Sequence, residues 1–212
     1  FFIGAYGLDL AQVGLITGLV GGFSSGIGTL IGGFIADHMA KRSPAWYALT
    51  PAFGLLIATP IYVAAYLATS WQLTALILLI PGIFHYTYLG PTFGVVQNSV
   101  PLRRRATATA LLFFFLNLIA LGGGPPFIGW VIDQLSQGAY AGGAFLAECP
   151  GGRAPEGAAP AAAEACRGAW TEGTRNGIIV AFLFYAWASL HYFLAAIGLT
   201  RHLRERAAMD AA

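Results

Sequence analysis

Few side chains in this sequence could do chemistry. Asp37 is the first candidate. It ends a long apolar run, Gly32-Gly33-Phe34-Ile35-Ala36-Asp37, and His38, Lys41 and Arg42 follow at once. A carboxylate at the end of such a run is costly unless a donor or a cation needs it. It can accept hydrogen bonds from the free N–H groups that start a neighbouring helix, where the dipole favours negative charge. It can also pair with a basic residue, or be an interfacial aspartate solvated by headgroups. His85 and Asn117 lie about midway along two other apolar runs, where polar residues are functional candidates. Tyr86 and Tyr88 stand beside His85. Phe113, Phe114 and Phe115 form an aromatic band before Asn117. Few charges and many aromatics would suit an amphipathic or lipid-like ligand. The same residues also read as packing, with His85 bonded to a backbone carbonyl.

Such residues are held by membrane helices. Of 212 residues, 57% are hydrophobic and 9% charged, against about 25% charged in soluble domains. This is an integral membrane chain. A net charge of +2 is too small to imply nucleic acid. No metal-binding cluster and no phosphate-cradling loop is visible, and no cofactor is expected. A helix crosses the hydrocarbon in about 20 mostly apolar residues. The runs 13–36, 46–68, 73–96, 106–131 and 176–199 qualify. They are too long, and alternate too little, for barrel strands. Phe1 to Tyr6 reads as the tail of an earlier span, and the chain as a fragment of a longer protein.

Orientation follows from the basic residues. Lys41 and Arg42, then Arg103, Arg104 and Arg105, then Arg201, Arg204 and Arg206 fall on one side if the spans alternate. That side is cytoplasmic, with the tail 200–212. The stretch 134–175 is then a long external loop. Its Ala, Gly, Pro and Glu content predicts a flexible segment. It carries the only two cysteines, Cys149 and Cys166. On an oxidising face they are a candidate disulfide, the alternative being two free thiols.

Small residues mark two further features. Gly14, Gly18, Gly22 and Gly26 recur every fourth residue, with Gly28 and Gly32 as a second pair. The first four are expected to let another helix backbone approach closely. Gly122-Gly123-Gly124-Pro125-Pro126 interrupts the fourth run. The prolines remove backbone donors, so Gly124, Pro125 and Pro126 form a hinge or a static kink.

The stretch from Gly33 through Asp37 to Lys41 and Arg42 resembles the cytoplasmic signature of the major facilitator superfamily, G-x-x-x-D-R/K-x-G-R-R/K. It departs at His38, where a basic residue is usual, and at Ala40, where glycine is usual. Gln97-Asn98, Val100-Pro101, Arg105-Ala106-Thr107 and the Gly-Pro break resemble the Spinster-like branch and its bacterial relatives. The resemblance implies an all-α membrane protein, half of a twelve-helix fold, running from the end of helix seven through helix twelve. It implies a missing N-terminal six-helix half as partner, and alternating access with a small-molecule or lipid substrate. Asp37 would then belong to a cytoplasmic clasp, with Arg105 as first partner, Arg104 second, and Lys41 and Arg42 nearby. His85, Tyr86, Tyr88, Asn117 and Phe114 would line the cavity, while His191, in the last helix, would be peripheral. Proton coupling and a lysophospholipid or sphingoid substrate are further implications; a drug or sugar-phosphate antiporter is the close alternative. The implied location is a bacterial inner membrane with the C-terminus cytoplasmic.

A rival from another class starts from Gly22-Phe23-Ser24-Ser25-Gly26, which matches G-x-S-x-G. Ser24 with His191 or His85 would make a nucleophile and base, as in an intramembrane protease of the rhomboid type. Against it, Ser24 is expected in mid-helix with no strained turn to expose it. A channel or a structural subunit is the remaining class.

Overall fold

The computed structural model describes residues 1–210, with side chains through Arg201. The side chains of Arg204 and Arg206 lie outside the described residues. The elements are α1 (Phe2–Tyr6), α2 (Leu10–Ala40), α3 (Trp46–Tyr66), α4 (Trp71–Tyr86), α5 (Leu89–Asn98), α6 (Arg105–Leu116), a π-helical segment (Asn117–Gly123), α7 (Gly124–Ala139), α8 (Phe145–Glu148) and α9 (Pro160–Asp210). Among the described residues, five continuous helices are long and apolar enough to cross a membrane: Leu10–Ala40, Trp46–Tyr66, Trp71–Asn98, Leu102–Ala139 and Pro160–Arg201.

Local chemistry sets the helix starts. Asp9 caps α2 by accepting from the Gln12 N–H at 2.7 Å, and the Gln12 side chain accepts from the Asp9 N–H at 3.1 Å. This reciprocal box satisfies two N–H groups that the helix cannot. Ser70 accepts from the Leu73 N–H at the start of α4. Gly7 closes α1 at φ 68°, a left-handed conformation that glycine adopts without a Cβ clash.

The core lies between α3, α4 and α9. Ala52, Leu55, Ala58, Tyr62 and Ala65 of α3 are buried. Tyr62 stacks on Phe182 of α9 with ring centroids 3.9 Å apart. Ser189 of α9 donates to the Ala52 carbonyl at 2.7 Å, a bond between helices in which neither partner faces lipid.

The close approach of α2 to α4 uses the second pair of glycines. Ser24, Gly28, Gly32 and Ala36 are the buried residues of α2. A Cβ on Gly28 would lie 2.8 Å from Cβ of Tyr86 and would collide with the Ile83 carbonyl; one on Gly32 would collide with the Thr87 backbone. A Cβ on Gly14, Gly18, Gly22 or Gly26 would meet nothing within 4 Å. Two residues of offset turn a helix by about 200°. The expected stripe therefore faces away from the one that packs.

The stretch 134–175, expected as a flexible external loop, is corrected, because helix occupies much of it. α7 runs to Ala139 and α9 starts at Pro160. The reason is local. Ala161-Ala162-Ala163-Glu164-Ala165 looks like low-complexity sequence, but alanine is the best helix former. Pro160 also stands at a first helical position, where its missing N–H costs nothing. Gly173 and Gly177 let α9 approach Ser136 and Ile132 of α7 closely. Cys149 and Cys166 are disulfide-bonded with Cα atoms 5.5 Å apart, and both are buried. Phe145 is buried beside them, stacked on Trp170. Gln137 accepts from the Phe145 N–H at 2.8 Å and donates to the Gly143 carbonyl at 3.0 Å. The Tyr140 hydroxyl donates to Glu148 at 2.8 Å, a bond that raises the Tyr140 pKa.

Candidate gate and cavity face

At the end carrying the basic clusters, the turn after α2 brings Tyr47 back over Asp37. The Tyr47 hydroxyl donates to the Asp37 carboxylate at 3.0 Å. Arg105 opens α6 and donates through Nη2 to the Asn98 side chain at 3.3 Å, while its Nε is buried without a partner. The structure therefore does not form the expected Asp37–Arg105 pair. Lys41, Arg42 and Arg104 are exposed. Sequence reasoning missed Tyr47. The available signal was a phenol just past a tight basic turn, within reach of the preceding helix end.

The expected cavity residues separate into two groups. His85 points into the bundle. Its ring lies 4.6 Å from Tyr185 of α9, 4.7 Å from Tyr86 and 5.6 Å from Tyr88. The Tyr62 hydroxyl of α3 is 3.4 Å from its Nδ1. His85 is thus packed, as the alternative reading had it, but its partner is a phenol rather than a backbone carbonyl. Asn117 and Phe114 are exposed on the other side, with Phe114 57% exposed. Asn117 donates through Nδ2 to the Phe113 carbonyl at 2.7 Å, within its own helix. Neither a hydrogen bond nor a ring contact joins this pair to His85.

Ser24 is buried and donates to the Leu79 carbonyl at 3.1 Å. His85 sits in its tyrosine cluster, and His191 packs at the edge of Trp187. The serine–histidine pairs of the protease reading are therefore not built.

The helix through α6, the π segment and α7 presents a broad unburied face. None of its most apolar stretch is buried, against 56% for α3. Phe113, Phe114, Phe115, Leu118, Ile119 and Leu121 are all exposed. In its middle, Asn117–Gly123 winds as a π-helix before Pro125 and Pro126. Such segments often occur at functional sites. Non-α backbone at membrane depth is tolerated where it meets protein or lines a water-filled cavity, not against lipid.

The comparisons with known proteins fit this half-bundle with one face open. Two solved structures of a bacterial homolog to the human lysosomal transporter Spinster, inward-facing and either unoccupied or occupied, match at a TM-score of 0.76 and 28% identity. They cover 92% and 94% of this chain but only 42% and 43% of their own. An MFS-type efflux pump of Mycolicibacterium smegmatis is 32% identical over 137 residues, 65% of this chain and 32% of the pump. The chain is therefore similar to transporters of the major facilitator superfamily. It thus spans about a third of one relative and two-fifths of the others, the share expected of a facilitator half. No protein-family model matches it. In a facilitator half, the open α6–α7 face and the open glycine stripe of α2 are surfaces that this chain leaves uncovered.

Proposed function

We propose that the chain is the C-terminal six-helix half of a secondary active transporter that exports an amphipathic, lipid-like molecule by alternating access. The observation that carries this reading is the unburied, aromatic α6–α7 face with a π-helical segment at mid-span. A second six-helix half would face it across a central cavity, as facilitator halves pair around a midplane site. Lysophospholipids or sphingoid lipids are the substrate class, since the face offers apolar area and no charged side chain between Arg105 and Asp133. Export is favoured by the efflux pump among its relatives. That relative also favours the second reading, a drug-type exporter using the same face.

Asp37, Tyr47 and Arg105 form the cytoplasmic gate in this proposal. With Asp37 and Arg105 apart, the arrangement fits an open cytoplasmic side, the state of the two Spinster-homolog structures. In the outward-facing state Asp37 would exchange Tyr47 for a basic residue or a helix N-terminus. The basic clusters support a cytoplasmic gate and C-terminus. Proton coupling is part of the proposal, with the carrier in the other half, because no Asp or Glu lies in the middle of an expected span here.

The test is flux in proteoliposomes holding the full-length protein that carries this half. A fluorescent lysophosphatidylcholine should move when a proton gradient is imposed and stop when an ionophore collapses it. Movement of a cationic dye without the lysolipid would select the drug-exporter reading. Absence of any gradient-driven flux would defeat both.

A further inference from the structure

The π-helical segment of the α6–α7 helix and the two prolines after it have a chemical consequence. Leu102–Ala139 is 38 residues long, about 57 Å at 1.5 Å per residue, and Asn117–Gly123 lies at its centre. In a continuous helix each carbonyl meets the N–H four residues on, or five in a π turn. The Leu121 carbonyl would need Pro125 or Pro126, and neither has an N–H. The Ala120 carbonyl would need Gly124 or Pro125. Pro125 has no N–H, and the Gly124 N–H is committed to the Ile119 carbonyl. Two adjacent carbonyls are therefore left without an α- or π-type donor, half-way across the span.

Their surroundings decide what they can bind. Ala120 and Leu121 are exposed. A Cβ on Gly123 or Gly124 would meet nothing within 4 Å, so no other helix covers the glycines that follow these carbonyls. The two prolines also strip donors from the first turn of α7, which a helix start would otherwise offer to an anion. Asn117 spends one of its two amide hydrogens on the Phe113 carbonyl, one turn back. What remains is an acceptor-rich site, with no basic side chain on this helix between Arg105 and its end at Ala139 to repel a cation. Unwound carbonyls at mid-membrane are suited to cations, and an ammonium group offers three N–H donors and no acceptor.

We propose that the bared carbonyls of Ala120 and Leu121 bind the protonated primary amine of an amphipathic substrate. This rests on the transporter reading, which puts this segment in the central cavity.

The test measures binding of dodecylammonium and dodecyltrimethylammonium to the full-length protein in nanodiscs by calorimetry. The two probes share charge and tail, but only the first has N–H donors. Dodecylammonium should bind about tenfold more tightly, the size of a charge-assisted hydrogen bond. The P125A/P126A variant restores two N–H groups to the helix and should erase that preference. Its helix gains hydrogen bonds, so it should melt no lower than the parent; P125A alone, which returns a donor to Leu121, is the second variant. Equal binding of the two probes by the parent, or an unchanged preference in both variants, overturns the proposal. If sodium chloride displaces dodecylammonium from the parent, relative to choline chloride at equal ionic strength, a bare cation reaches the same carbonyls and the cation site is supported. If the amine preference is absent while lysolipid flux persists, the inference falls and the transporter reading stands.

Discussion

Helix α3 and the α6–α7 helix are both apolar enough to cross a membrane, yet their surroundings are opposite. Over half of the α3 stretch is buried, and none of the α6–α7 stretch is. The difference lies in side-chain size. α3 brings Ala52, Gly54, Ala58 and Ala65 to its neighbours, so backbones close on it from two sides. α6–α7 carries three consecutive phenylalanines and a run of leucine and isoleucine that stay exposed, with Phe113 alone of the three packing on a ring of α5, Phe93. Apolarity by itself says that a helix belongs in a bilayer. Without a hydrophobic force between helices there, small residues and polar bonds decide which surfaces meet. α2 shows both outcomes on one helix, with Ser24, Gly28, Gly32 and Ala36 packed and Gly14, Gly18, Gly22 and Gly26 open.

The comparison breaks most sharply at that helix. Gly32→Val puts a side chain into the Thr87 backbone, which cannot move without shifting α4. Overpacking costs roughly 1–3 kcal/mol and sometimes more; with backbone on both sides, the expected outcome is loss of folded protein by size-exclusion and thermal melting in detergent. Gly18→Val, on the open face, should change stability by less than about 0.5 kcal/mol while lowering transport. Equal destabilisation by both would mean that the two faces of α2 are packed alike.

The external end offers the next largest effect. Cys149 and Cys166 are 17 residues apart, and a closed loop of that size contributes about 3 kcal/mol on the chain-entropy view. Replacing both with serine should lower the melting temperature by that equivalent and expose the 150–159 segment to protease. A double variant as stable as the parent would show that Phe145, Trp170 and the Gln137 bonds hold the α7–α9 pair by themselves.

The two groups of expected cavity residues can be separated by kinetics. His85→Leu removes the partner of the Tyr62 hydroxyl in a packed cluster, and leaving a buried polar group unpaired costs about 1–3 kcal/mol. It should lower thermal stability and leave the apparent KM for lysolipid unchanged. Asn117→Leu, on the exposed face, should do the reverse. If His85→Leu changes KM at unchanged stability, the inward-facing cluster is part of the substrate route.

What was legible in the sequence follows the same physics. The bilayer imposes a length, so five apolar runs could be read by counting, and the Gly33-to-Arg42 pattern led to the superfamily. Which face of α2 packs could not be read. Both faces carry small residues every fourth position, and the deciding partners, Ile83 and Thr87, lie more than fifty residues away. His85 was ambiguous for a similar reason: a midway histidine points to a cavity or a core depending on Tyr62 and Tyr185, from two other helices. The helical start of α9 was misread because alanine-rich sequence suggests low complexity by composition and helix by propensity.

The smallest expected effect tests the gate. Tyr47→Phe removes one exposed hydrogen bond to Asp37, worth about 0.5–1.5 kcal/mol at most in this setting. Stability should hardly change. If the phenol holds Asp37 only while the cytoplasmic side is open, its loss frees the carboxylate for the outward-facing clasp and populates that state. Asp37→Asn removes the charge on which the clasp depends and should shift the population the other way. Cysteine labelling at the cytoplasmic end of α6 should then fall in Tyr47→Phe and rise in Asp37→Asn. Shifts in the same direction would mean that Tyr47 and the clasp act in one conformation, and Asp37 would not be exchanging partners between states.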